Sequence, residues 1–290
     1  MNAVLMALVL ASCGGGSSTG GDKNVIVGSK DFTENEIVAE IYALALEDAG
    51  FTVERQMNIA GSVVHTSITS GEIDIYPEYT GTGLISILQK EALTDQEEVY
   101  NTVKEEYNEQ FHITWLDYAE ANDGQGIFIS KRASDEYGIR TISDLQANAD
   151  KLRFASQGEF DERDDGMPGL NRVYGPFNWK SSKVYDNGLK WEVVDSDEAD
   201  AAPAYTTEAR LTETDKFVLL EDDKKIWPPY NLAPIVRNEV LEQNPEIADV
   251  LNAVSATLDT ETVTQLNAKV DIDGEEYEDV ALEYWESIKG

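Results

Sequence analysis

Tyrosines and scarce cations stand at loop positions of this chain. Tyr79 and Thr82 close the run Ile73-Asp74-Ile75-Tyr76-Pro77-Glu78-Tyr79-Thr80-Gly81-Thr82-Gly83. Tyr205 lies in Ala202-Pro203-Ala204-Tyr205-Thr206-Thr207-Glu208, and Tyr230 follows Pro228 and Pro229. Lys30 and Arg163 are loop cations in a chain with 22 Lys and Arg against 56 Asp and Glu. Ring faces and charges of this kind can hold a ligand. Each alone is equally a surface or core residue, and composition cannot place them together.

Catalytic and metal chemistry find little support. His65 and His112 have no second ligand motif nearby and no H-E-x-x-H, so both read as structural or surface residues. A single cysteine excludes an internal disulfide and any multi-cysteine metal site. The run Asp161-Glu162-Arg163-Asp164-Asp165-Gly166 fails as a calcium loop, with Arg163 at the third ligand position and Arg172 at the twelfth. Lys269 at the first position of the run ending at Gly274 fails for the same reason. Phosphate-loop, nucleophile-elbow and dinucleotide motifs are absent. The carboxylates single out no acid/base pair and read mostly as a solvated face. No metal or cofactor is expected. A net charge of −34 excludes nucleic acid as a partner. With 41% hydrophobic and 9% aromatic residues, an ordinary core is still affordable.

These residues need elements to position them. At roughly 150 residues per domain, 290 residues predict two domains. Val25 to Val27 reads as a buried strand turning at Gly28-Ser29. A helix follows, with Thr33 and Glu36 at capping-box spacing, Phe32 and Ile37 as a hydrophobic staple, and Gly50 as its stop. Phe51 to Asn58 alternates as a strand. Ser62 to Ser70 is a helix closed by Gly71, and Ile73 to Tyr76 is a third strand. Thr94 and Glu97 repeat the capping-box spacing before a helix to about Gln110. This βαβαβ order predicts a parallel sheet with ligands beyond the strands' carboxyl ends. The glycine-broken Asn122–Gly126 leads into a new strand, Ile127 to Ile129, and a second α/β region. Ile226-Trp227-Pro228-Pro229-Tyr230 breaks the pattern again. The tail reads as helices over Pro245 to Leu258 and Glu275 to Lys289, the latter with Tyr277, Val280, Ala281, Tyr284 and Ile288 on one face.

The N-terminus reads differently. Val4 to Ala11 is an apolar run too short to span a bilayer and suited to a signal peptide. Leu10-Ala11-Ser12-Cys13 resembles a bacterial lipobox, although no Lys or Arg precedes the run. That resemblance predicts a signal peptide over 1–13 with Cys13 lipidated, a Gly/Ser-rich tether over 14–23 and extracytoplasmic anchoring to the cell membrane.

Two motifs carry a family resemblance. Gly28-Ser29-Lys30-Asp31-Phe32-Thr33-Glu34 and the run from Gly71 to Gly83 resemble the OpuAC-like substrate-binding proteins of osmoprotectant ABC importers, the glycine betaine, choline and carnitine binders. Glu159 through Leu170, Tyr205-Thr206-Thr207-Glu208 and Leu220 through Tyr230 also match, so the resemblance runs from about residue 24 to the end. It implies an α/β, two-lobed type II periplasmic binding protein with a hinge. One lobe would be 24–121 plus 222–290, the other 122–221. It also implies a monomeric, non-enzymatic receptor that delivers a small quaternary-ammonium ligand to an ABC permease.

A quaternary ammonium has charge but no N–H, so ring faces must hold it, at ~0.5–2 kcal/mol each when desolvated. By the resemblance, Tyr79, Tyr205 and Tyr230 are cage walls, and Lys30, Thr82 and Arg163 clamp a ligand carboxylate. One departure concerns Asp123-Gly124-Gln125-Gly126, where the family often has Asn-Thr-Tyr-Ala. Gln125 replaces a fourth aromatic wall, and Asp123 keeps a carboxylate near the cation. The cage is then expected to be open on one side. Two other readings stand beside this one. Gln125 suits a different zwitterion or polar amine, and an acidic cluster could serve a small-molecule hydrolase.

Overall fold

In the computed structural model, which describes residues 23–290, two separate β-sheets divide the chain. Cys13 and the Gly/Ser run as far as Asp22 lie outside the described residues. Lys23, assigned above to the tether, already belongs to the folded body. Its carbonyl accepts from Thr52 N at 2.8 Å, and its ammonium lies 4.7 Å from the Phe51 ring centroid.

The first sheet begins with β1 (Asn24–Lys30), β2 (Thr52–Ile59), β3 (Ile75–Tyr79) and β4 (Ile113–Trp115). The chain then crosses to build the second sheet from β5 (Gln125–Ser130), β6 (Arg153–Ser156), β7 (Ser181–Val184), β8 (Ala201–Tyr205) and β9 (Phe217–Leu219). It returns as β10 (Leu232–Arg237). Strand orders are β2-β1-β3-β10-β4 and β7-β6-β8-β5-β9. β1 runs parallel to β2 and β3, and β6 runs parallel to β7 and β8. The parallel arrangement expected for β1, β2 and β3 is present, and each sheet also contains one reversed strand that the local pattern did not announce. β10 is antiparallel to β3 and β4, and β5 is antiparallel to β8 and β9. The cause is topological. β5 and β10 are the strands that enter from the other sheet, so they run away from the cleft while the parallel strands run towards it.

The two crossings lie side by side. Ala119 N donates to Leu232 O (2.7 Å), Leu232 N to Ala121 O (3.1 Å) and Asp123 N to Tyr230 O (3.0 Å). Asn122 and Asn231 form a bridge pair. These bonds join the crossings into one hinge.

The central strands of both sheets are buried on both faces. Ile127 and Ile129 enter one core cluster and Phe128 another, the period-two signature of a strand covered on both sides. In the first sheet, Val25 and Val27 pack beneath the helix Thr33–Asp48. The C-terminal helices contribute Ile247, Leu251, Val263, Val280 and Ala281 to the same core.

Neither capping box forms as read. Phe32, not Thr33, caps the first helix without a side-chain bond, and Thr33 Oγ1 donates to Asp271 Oδ1 at 2.7 Å. In the second, Asp95 rather than Thr94 is the N-cap and accepts from Glu98 N at 2.9 Å. A carboxylate is at least as good a cap as a threonine hydroxyl. The helix Thr260–Asp271 was not foreseen; it buries only Val263, Leu266 and Asn267.

Candidate ligand-binding site

The carboxyl ends of the parallel strands in both sheets converge on one cleft. Lys30 ends β1, Tyr79 ends β3 and Tyr205 ends β8, while Gln125 opens β5 opposite Tyr205. Asp123 and Tyr230 come from the two crossings. Thr82 sits in the helical turn Thr80–Thr82, and Arg163 follows the short helix Gly158–Glu162. Lys30, Tyr79, Thr82, Asp123, Gln125, Arg163, Tyr205 and Tyr230 all line a single cavity of about 240 Å³.

Local bonds fix the first-sheet wall. Lys30 N donates to Asn35 Oδ1 (2.7 Å), and Asn35 Nδ2 donates to Pro77 O (2.8 Å), tying the end of β1 to β3. The Lys30 ammonium pairs with Glu78 at 2.5 Å. The Tyr79 hydroxyl donates to Glu34 Oε1 at 2.8 Å. At Gly81 a Cβ would lie 2.5 Å from the Tyr230 ring, so glycine is what lets that ring seat.

The second-sheet wall is fixed by an ion pair. Asp165 accepts from Arg163 Nε (2.8 Å) and Nη2 (2.7 Å). It also accepts from the Tyr230 hydroxyl at 2.5 Å, which ties this lobe to the hinge. Burial pushes the Asp165 carboxyl up, but Arg163 and the Tyr230 hydroxyl more than reverse this and leave it below the usual range. One edge of the Arg163 guanidinium is therefore taken. The other faces Glu159 (Nη1 to Oε1, 3.3 Å) and Thr82 (Nη2 to Oγ1, 3.5 Å).

Phe32 is a residue that sequence reasoning left out of the site. It lines the cavity, and it also packs against the core cluster that holds Ile37, its expected staple partner. Its ring lies 6.0 Å from Tyr79 and stacks on Tyr205 at 5.5 Å with 22° between planes. A fourth aromatic side chain is therefore present, supplied by the first sheet's lobe rather than from position 125. Its signal in the sequence was a phenylalanine at a strand-to-helix turn, where binding groups gather.

Glu34, Thr207 and Asp165 were also missed. Glu34 and Asp123 are both buried, and Thr207 stands between them. Burial raises the Glu34 carboxyl, against hydrogen bonds from Thr207, Tyr79 and Asn267. Burial, then the charge of Glu34, holds Asp123 well above the usual carboxylate range.

Neither histidine lines this cavity. His65 packs edge-on against Tyr107 and Phe111, and His112 ends a helix in the left-handed conformation (φ 58°). Among the described residues no group of three or more His, Cys, Asp or Glu is arranged to hold a metal ion. Nor is any helix among them long and apolar enough to cross a membrane.

Two α/β lobes, a double-crossing hinge and a cavity at the strand ends define a type II periplasmic binding protein. Residues 23–287 match the substrate-binding domain of ABC-type glycine betaine transport systems. The chain belongs to that OpuAC family, and is a substrate-binding protein rather than an enzyme. The hydrolase reading falls with that membership. The carnitine transport binding protein OpuCC of Listeria monocytogenes is 31% identical over 91% of this chain and 87% of its own length. The ergothioneine transport permease/ergothioneine binding protein EgtU of Helicobacter pylori is 30% identical over 87% of this chain; the match spans 45% of that longer protein. A crystal structure of a glycine betaine/carnitine/choline ABC transporter protein superposes with a TM-score of 0.72 at 24% identity, covering 91% of this chain and 98% of the other.

Proposed function

We propose that this protein is the extracytoplasmic receptor of an ABC importer for a quaternary-ammonium zwitterion, with glycine betaine first among candidates. Tyr79, Tyr205, Tyr230 and Phe32 supply ring faces for the ammonium head. Lys30, Thr82 and the outer edge of Arg163 take the carboxylate, with Asp123 and Gln125 completing the wall. The lobes are 24–121 plus 222–290 and 122–221. Cys13 carries the lipid that holds the receptor at the membrane beside its permease, and the receptor acts as a monomer.

One observation carries this reading. Residues chosen from scattered motifs meet in one cavity between the lobes, with aromatic rings and two cations already held in place by Glu78 and Asp165. Preorganisation of this kind lowers the cost of binding.

A larger betaine is the second reading. Beyond the Phe32–Tyr205 stack lies another space of about 270 Å³, lined by polar residues including Thr33, Asn187 and Asn267. The name of the Helicobacter relative supports including ergothioneine among the candidates. A thermal-shift panel of glycine betaine, choline, carnitine, proline betaine, ectoine and ergothioneine tests both readings. A true ligand at a hundredfold excess over Kd stabilises by about 2.7 kcal/mol. A flat panel would refute the assignment, and a response to ectoine alone would move it away from quaternary ammonium.

A further inference from the structure

Thr207 has one hydroxyl hydrogen and two buried carboxylates to give it to. Its Oγ1 lies 2.5 Å from Glu34 Oε2 and 2.7 Å from Asp123 Oδ1. Both are O–H···O hydrogen-bond lengths. An ionised carboxylate only accepts, and a hydroxyl donates once. With both acids ionised, one of these contacts would set lone pairs against lone pairs.

The neighbours do not supply the missing hydrogen. Asn267 Nδ2 donates to Glu34 Oε2 (3.1 Å) and Thr207 O (3.2 Å). The Tyr79 hydroxyl serves Glu34 Oε1, and Thr207 N reaches Asp123 Oδ1 at 3.3 Å. No Lys or Arg among the described residues pairs with either acid. Lys190 is paired with Glu208, Lys30 with Glu78 and Arg163 with Asp165. The other charged groups around the two spaces are Asp31 just before the first helix and Glu36 within it, Glu159 and Asp186 around the main cavity, Arg210 beyond β8, and Asp271 on the helix Thr260–Asp271. That field is mainly negative and favours keeping a proton.

We infer that Glu34 and Asp123 hold one proton between them through the Thr207 hydroxyl, and that this proton leaves for solvent when a quaternary ammonium enters the cavity. Glu34 is then a charge-setting residue of the ligand site, acting through Thr207 and Asp123. The inference rests on the ligand reading above. The exchange is balanced. One O–H bond breaks, its electron pair stays on the carboxylate, and the proton goes to water as the cation arrives. The arriving positive charge drives it, because an opposite charge nearby favours the ionised form. When empty, the pair carries one negative charge instead of two, which limits its self-repulsion.

The direction of the linkage follows. The bound state holds fewer protons, so affinity rises with pH, by up to about tenfold per pH unit until the empty pair ionises by itself. The first test uses the ligand-free protein. Infrared spectra of the parent should show a protonated carboxyl C=O stretch at neutral pH that is lost in Glu34→Gln. Absence of that band in the parent overturns the inference. The second test titrates glycine betaine, and separately choline, in two buffers of different ionisation enthalpy between about pH 5 and 8. The parent should release a fraction of a proton approaching one per ligand, and Glu34→Gln should release none. Asp123→Asn replaces Glu34→Gln in both tests if the latter does not fold. Binding without proton release in the parent, or equal release in the variant, also overturns the inference. Failure of both ligands to bind would refute glycine betaine as the ligand instead, and the infrared band would still decide the shared proton.

Discussion

Replacing Phe32 with alanine tests the aromatic cage at the position where sequence reasoning did not look. The ring stacks on Tyr205 at 5.5 Å and approaches Tyr79 at 6.0 Å, so truncation removes both a cavity wall and a contact between the lobes. In the bound state one face is lost from the ammonium head, costing ~0.5–2 kcal/mol. That corresponds to a roughly two- to thirtyfold rise in Kd. The variant also loses a contact between lobes, the Phe32–Tyr205 stack. An aromatic pair of this kind contributes about 0.5–1.5 kcal/mol beyond its area. If the ligand has to part the stack, this second loss offsets the first in affinity. Phe32→Ala should therefore weaken glycine betaine by up to about tenfold, with Phe32→Leu between it and the parent. Isothermal titration calorimetry on both, with Tyr205→Ala and the double variant completing a cycle, separates the terms. Unchanged affinity in Phe32→Ala together with zero coupling to Tyr205 would refute Phe32 as a wall. Tighter binding would show that the stack is a latch the ligand must break.

Four further outcomes are expected. Arg163→Ala strands the Asp165 carboxylate, and removing one partner of a buried pair costs about 3–5 kcal/mol; thermal melting should show that loss, calorimetry should show glycine betaine losing its advantage over choline, and a parental melt and preference would remove the clamp. Gln125→Tyr should tighten small betaines by ~0.5–2 kcal/mol if its ring reaches the cation, while bulkier ammonium ligands weaken, and identical calorimetry for both classes would place position 125 outside recognition. Burial pushes the Asp200 carboxyl up, but hydrogen bonds from Arg153 and Arg132 more than reverse this and hold it at about 2. A depressed carboxyl stabilises fully above its unfolded value of roughly 3.9 and loses that contribution as pH falls through the folded one, so Asp200→Asn should flatten acid destabilisation between about pH 4 and 2; acid titration followed by circular dichroism decides it, and a curve as steep as the parent's would rule it out. Cys13→Ala should release a binding-competent protein from membranes, and retention in the membrane fraction would contradict lipid attachment there.

The fold was legible where periodicity and glycine stops agree, as in the helix Gly61–Ser70 closed by Gly71 at φ 79°. It was less legible where two local solutions compete. Thr94-x-x-Glu97 and Asp95-x-x-Glu98 are overlapping cap spacings, and only tertiary packing decides between them. The helix Thr260–Asp271 hid because so few of its residues face the core. The reversed strands β5 and β10 could not be read from local pattern, since direction depends on which side of the cleft the chain comes from. At the site, Tyr79, Tyr205 and Tyr230 were legible from motif. Phe32 lay in the same motif as Lys30 and was read only as a staple. An apolar residue ahead of Thr-x-x-Glu fits a staple as well as a wall, and only the position of the opposite lobe tells them apart. Glu34 and Thr207 join across 173 positions of sequence, so no spacing rule could connect them.

The crossings were described above as a hinge, and their residues also bound the cavity. Asp123 and Tyr230 line it while their backbones bond to each other at 3.0 Å. A ligand in that cavity would press against the fulcrum itself, at the short end of a lever whose long arms are the lobes. A shift too small to disturb contacts beside the fulcrum sweeps a much longer arc at the outer rims. A partner gripping both rims would need no contact with the solute; it would feel occupancy as a change of span. Substitutions far out on the lobes can then alter that span with ligand affinity intact, whereas substitutions beside the crossings alter affinity and span together.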